Sequence, residues 1–131
     1  MAARRARPTE WLLEVHVDRR WYELRRSPEP IPAPGRPRTR ALEVDDLLLG
    51  RGVDPAVGLD LRPDNGVSRR HARLWRHRGS WWVEDLASHN GTWVSPGGLR
   101  LPTEPIAHPL RLAAGSWILL GGWTRLVLRR A

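Results

Sequence analysis

The sequence predicts an all-β domain, either a sandwich or a barrel. Short apolar runs recur along the chain, Gly- and Pro-rich turn signals separate them, and no stretch sustains a helical period. A chain of 131 residues favours one domain, and 40% hydrophobic residues with eight tryptophans supply a core for it.

Taken in order, residues 1–8 are arginine-rich without apolar periodicity and are expected to form a disordered basic tail, leaving 9–131 as the domain. Residues 11–17 alternate loosely, and 21–24 follow the charged turn Asp18-Arg19-Arg20; both are expected as strands. The stretch 27–40 carries five prolines in fourteen residues. Proline lacks the donor a ladder needs, so this stretch is expected to be a loop insertion that is dispensable for the fold. Residues 41–49 should form a strand that ends at Gly50-Arg51, with a short strand at 57–61 and a turn at Asp64-Asn65-Gly66. A hairpin is expected over 73–84 around Gly79-Ser80, and another pairs 92–94 with 99–101 across Ser95-Pro96-Gly97-Gly98. Residues 102–109 break regularity. Leu110-Arg111-Leu112 precedes a turn at 113–116, and 117–120 and 123–128 form a last pair around Gly121-Gly122.

Composition narrows the functional classes. Without cysteine, disulfides and thiolate metal sites are excluded. No apolar run approaches a membrane span and no signal-peptide hydrophobic region follows the first residues, so a cytoplasmic protein is expected. The net charge of +8, carried by arginine alone among the 22 basic residues, favours phosphate, nucleic acid or acidic segments as partners. It does not choose among them.

Two motifs organise the chain: Ser68-Arg69-Arg70-His71-Ala72 and Asp85-Leu86-Ala87-Ser88-His89-Asn90-Gly91-Thr92. The hairpin between them would bring both polar loops to one end of a sheet, where Gly50-Arg51 could deliver a guanidinium. In this order and spacing the three pieces resemble the forkhead-associated (FHA) family of phosphothreonine readers. The likeness runs over about 41–130, including Ala113-Ala114-Gly115 and the last strands. It implies an FHA-type β-sandwich of two twisted, mainly antiparallel sheets with the binding loops at one end.

The chemistry of the residues agrees with that likeness. A dianionic phosphate needs several converging donors, because bonds to an ionised group are strong and directional. Arg51 has a planar fork that can pair with two phosphate oxygens, Ser68 offers a short hydroxyl donor, and Arg69 adds charge beside it. The resemblance implies phosphate binding at Arg51, Ser68 and Arg69. It implies peptide-backbone binding at Asn90, whose amide both donates and accepts, with His89 beside the same backbone. It also implies loop bracing by His71, Gly50 and Gly91. Taken singly, each has a plain structural reading: a turn serine, an Asn-Gly turn, solvated arginines.

Two departures from the family pattern stand out. His89 occupies a position where many relatives carry threonine or another small polar residue. The long 52–67 loop holds Asp54, Asp60 and Asp64, which are expected to shade the phosphate pocket or shape the selected sequence. Ser116, in place of the usual acidic residue after the last turn's glycine, is expected to affect only that turn.

The leading expectation is a phosphothreonine-dependent adaptor whose partner is a threonine-phosphorylated protein, a Ser/Thr kinase or its substrate. No cofactor and no metal are implied. A phospho-independent scaffold of the same fold is one alternative, kept open by His89. A basic nucleic-acid-binding β domain is another, suggested by Arg73-Leu74-Trp75-Arg76. Strand alternation places Arg73 and Trp75 on one face, where an ordinary cation–π contact accounts for them, so nucleic acid is disfavoured. Enzymatic activity is not expected, because there is no nucleophile–base pair, metal cluster or Walker-type loop.

Overall fold

The computed structural model describes residues 10–131; the expected basic tail at 1–8 lies outside them. Two five-stranded sheets face each other, and all pairings but one are antiparallel. The first sheet runs in the order β2 (Arg38–Ala41), β1 (Trp11–Val17), β10 (Thr124–Arg130), β9 (Trp117–Leu120), β7 (Thr92–Ser95). The second runs β4 (Gly58–Asp60), β3 (Asp46–Gly50), β5 (Ala72–His77), β6 (Ser80–Asp85), β8 (Leu110–Leu112), with β3 and β4 parallel. Alternate residues turn inward, as a pleat requires, so Leu13, Leu47, Leu49, Leu74, Val83, Ile118, Leu126 and Leu128 make the buried core between the sheets.

The sequence reading misplaced several elements. Residues 21–24 are not a strand but part of a helix, α1 (Arg19–Arg25). The Asp18 carboxylate accepts the Trp21 N–H at 2.8 Å and caps its start, while Arg26, with φ 50°, ends it. Seven residues make fewer than two turns, too short for a 3.6-residue period to register. The helix places Trp21 and Arg25 on one face. Trp21 is buried against Trp93 and Leu119 on the outside of the first sheet, forming a second core with a T-shaped Trp21–Trp93 contact at 5.0 Å.

The proline-rich stretch is not wholly a loop. Its C-terminal end becomes β2, which pairs with β1 through Arg38↔Val15 to Ala41↔Leu12. Arg38 donates to the Asp60 carbonyl, and Arg40 to those of Gly58 and Pro55. These two guanidiniums tie the edge of one sheet to the edge of the other. Tyr22 donates to the Glu29 carbonyl at 2.7 Å, so the start of the stretch is held as well. The exposed run is 33–39, and of it only 33–37 lies outside β2. Shortening 33–37 to a brief Gly/Ser linker should therefore cost no more than about 1–2 kcal/mol in urea unfolding, since closure entropy changes slowly with loop length and the two prolines lost act mainly on the unfolded chain. A loss above about 2 kcal/mol would contradict this.

The expected strand at 41–49 is two strands in different sheets. The chain leaves β2 at Ala41, buries Leu42 in the core with its N–H on the Trp11 carbonyl, and enters β3 at Asp46. A chain that changes sheets must break its ladder. The central hairpin forms as expected, but its two-residue turn is Arg78-Gly79, both at positive φ, one position earlier than expected. Residues 99–101 do not pair with β7, whose partner is β9; a 3-10 turn at Pro96–Gly98 intervenes and Leu99 is exposed. Ser116 acts within its own turn, as expected, accepting the Ala113 N–H.

Candidate functional site

The hairpin β5–β6 brings the loop before β5 and the loop after β6 to one end of the sandwich. His71 locks them together. Its buried ring accepts the Ser68 N–H at Nδ1 (2.9 Å), and Nε2 lies 2.7 Å from the Gly91 carbonyl. A backbone N–H can only donate, so Nδ1 is the unprotonated nitrogen and Nε2–H donates to Gly91: the ring is neutral. Burial holds its pKa below the ordinary histidine value, against the opposing pull of the Gly91 carbonyl.

A depressed folded-state pKa fixes the sign of the pH dependence. The contribution of His71 to stability is complete above the unfolded-state value of about 6.5. It is lost as pH falls from there toward the lower folded-state value, because the unfolded chain takes up the proton first. Protonation would also turn Nδ1–H against the Ser68 N–H. Urea unfolding at pH 7.5 and 5.5 should show a loss of stability in acid that His71→Gln lacks. An equal loss in both proteins would remove this role.

Gly50 and Arg51 reach the same end from β3. A Cβ on Gly50 would overlap the Arg69 carbonyl, so glycine lets the two segments touch. The Arg51 N–H donates to the Ser68 carbonyl and its Nε to the Val67 carbonyl, both at 3.1 Å. Among the described residues its two terminal nitrogens take no partner. Ser68 Oγ accepts the His89 N–H at 3.0 Å, which leaves the hydroxyl proton available to a ligand. Arg69 is exposed beside it. Asn90 Nδ2 donates to the Gly66 carbonyl at 2.9 Å, and its side-chain oxygen takes no partner among the described residues. The His89 ring is exposed next to it.

Thus Arg51, Ser68, His71, Gly50, His89, Asn90 and Gly91 are joined by direct contacts, and Arg69 lies beside them. The acidic residues of the 52–67 loop have partners of their own. Asp60 receives Gly52 N–H, Arg62 N–H and the Arg62 guanidinium, whose hydrogen bond holds its carboxyl at a pKa of about 2. Asp54 accepts the Ala56 N–H in its own turn. Asp64 is fully buried and accepts from the Gly66, Gly122 and Trp123 N–H groups and the Thr124 hydroxyl.

Sequence reasoning missed Asp64 as a brace, although the Asp-Asn-Gly turn signal was visible. It also missed Asp85, which accepts Ser88 N–H, the Ser88 hydroxyl and the Thr92 hydroxyl and so shapes the loop that carries His89 and Asn90. Burial raises the Asp85 pKa, but these donors outweigh it and the net shift is downward. Elsewhere, Arg73 stacks on Trp75 at 4.6 Å, as expected, while its guanidinium pairs with Asp46 and Glu84. That charge is already neutralised.

A family model of the FHA domain matches residues 47–121, more than half of the chain and all of these loops. The chain belongs to the FHA family. It is 36% identical over 72 residues to the FHA domain-containing protein FhaB of Mycobacterium tuberculosis, covering 54% of this chain and 44% of that one. This chain therefore spans less than half the length of that relative. Among solved structures, the FhaA FHA domain in complex with the intracellular domain of another protein superposes with a TM-score of 0.57 at 27% identity, over 89% of this chain and 99% of that one. An FHA domain from a structural and functional analysis of phosphothreonine-dependent interactions gives 0.58 at 27% identity, over 90% and 95%. FHA domains are protein-interaction modules, and this chain is one of them. No helix among the described residues is long and apolar enough to cross a membrane.

Proposed function

We propose that the module binds phosphothreonine in a protein partner, a Ser/Thr kinase or its substrate, through Arg51, Ser68 and Arg69. The observation that carries this is the way donors are left over at one end of the sandwich. Among the described residues, Arg51 is anchored by Nε with its fork free, and Ser68 is anchored through its lone pair with its proton free. A phosphate dianion uses such donors fully, and fixing them beforehand lowers the ordering cost of binding. Asn90, held by Gly66 and with its side-chain carbonyl unpartnered among the described residues, would pair with an extended peptide backbone. The likeness to an FHA domain studied for phosphothreonine-dependent interactions supports the same ligand. A cytoplasmic location is part of the same reading.

The resemblance also implies an apolar niche for the threonine methyl. Burying one methyl group contributes about 0.8 kcal/mol, roughly a fourfold preference over phosphoserine in the same peptide. Calorimetric titration of matched phosphothreonine, phosphoserine and glutamate peptides at two salt concentrations tests this. The phosphothreonine peptide should bind most tightly at both. Equal binding of all three, lost together as salt rises, would instead indicate a general polyanion surface.

A further inference from the structure

A groove of about 310 Å³ opens beside the phosphate donors. One wall is His89 and Asn90, on the loop just assigned to the peptide backbone. The other is Arg25, Ser27, Pro28 and Glu29, from the end of α1 and the start of the proline-rich stretch. A peptide chain that leaves the phosphate site along Asn90 therefore enters a trough whose far side comes from outside the two motifs.

The chemistry of that far wall is uneven. Glu29 is engaged, accepting from Asn65 Nδ2 at 3.2 Å. Arg25 takes no hydrogen-bond or carboxylate partner among the described residues. Its guanidinium lies 4.3 Å from the Trp93 ring centroid and 5.4 Å from that of Trp21. Stacking on indole uses the flat face of a guanidinium and leaves its N–H edge free, so the group is held still with its donors unspent.

We propose that Arg25 forms a second, charge-selective subsite for an acidic side chain flanking the phosphothreonine. The inference rests on the phosphothreonine reading of Arg51 and Ser68. A carboxylate reaching the groove would meet a preorganised fork in a half-buried setting, which favours a charge-assisted pair over a fully solvated one.

The test uses the 131-residue chain and an alanine-based peptide with one central phosphothreonine. A single Asp or a single Lys is placed at each of four positions on either side, and binding is measured by calorimetry. Wild type, Arg25→Met and Arg25→Glu are compared, the methionine keeping an apolar side chain against the two indoles. Asp should tighten wild-type binding about three- to tenfold at one or two adjacent positions on one side. The gain should vanish in Arg25→Met and pass to Lys in Arg25→Glu, while all three proteins bind the all-alanine phosphopeptide alike. A flat Asp scan, a gain that survives Arg25→Met, or a wild-type preference for Lys drawn by Glu29 would each overturn the subsite and leave the phosphate reading standing. Failure of wild type to bind any of the phosphopeptides would overturn both.

Discussion

Asp64→Ala should lower the stability of the domain by at least about 3 kcal/mol, because several buried donors lose their acceptor together and each costs about 1–3 kcal/mol. Gly122 N–H, Trp123 N–H and the Thr124 hydroxyl all converge on this carboxylate from the β9–β10 turn, and Gly66 N–H joins them from its own loop. A Cβ at residue 64 reaches none of them. Asp64→Asn should also fail to restore the site, since the new NH2 group faces donors whichever way the amide is turned. Against a total of about 5–15 kcal/mol for a domain, this is a large share. Urea unfolding measures it, and a loss below about 1 kcal/mol would mean that water replaces the carboxylate and that Asp64 is no brace. The same residue holds Gly66, whose carbonyl receives Asn90, so any protein that still folds should also bind phosphopeptide more weakly.

Arg51→Ala and Ser68→Ala should each weaken phosphothreonine-peptide binding by about 1.5–3 kcal/mol, roughly ten- to more than a hundredfold. Both remove a donor to an ionised group, and the two lie on segments joined by the Arg51 N–H bond to the Ser68 carbonyl. That bond is backbone to backbone and survives both substitutions, so the unfolding midpoint should move little. Arg51→Lys should lose affinity too: an ammonium keeps the charge but cannot anchor one nitrogen on Val67 while presenting two more. Arg69→Ala should cost less than either, since no contact among the described residues fixes its side chain. Calorimetric curves unchanged for Arg51→Ala, Ser68→Ala and Arg51→Lys would remove the phosphate assignment.

The loops were legible because their chemistry is local. Ser68 to Ala72 and Asp85 to Thr92 carry turn formers, a histidine and an Asn-Gly pair at short fixed offsets, and the hairpin between them alternates clearly enough to fix which ends meet. The braces were less legible. Asp64 looks like one more polar residue in a long acidic loop until the β9–β10 turn, far away in sequence, closes over it. Trp21 looks like a strand residue because a helix of seven residues shows no period. Its helical state depends on the Asp18 cap and on Trp93, whose outward face needs covering.

By itself the sequence determined the all-β class, the central hairpin, the end of the molecule where Arg51, Ser68 and Asn90 gather, and the family to which they belong. These follow from period-two alternation, turn chemistry and motif spacing, which act over a few residues each. Only the tertiary structure decided that 41–49 is shared between two sheets, that Arg38 and Arg40 cap the carbonyls of β4, and that Arg25 stands across a groove from Asn90. Each of these depends on which sheet edge or outer face is left open once the core has closed. That is a property of the packed whole, because an unpaired edge or an uncovered indole has no signature in the residues that come to satisfy it.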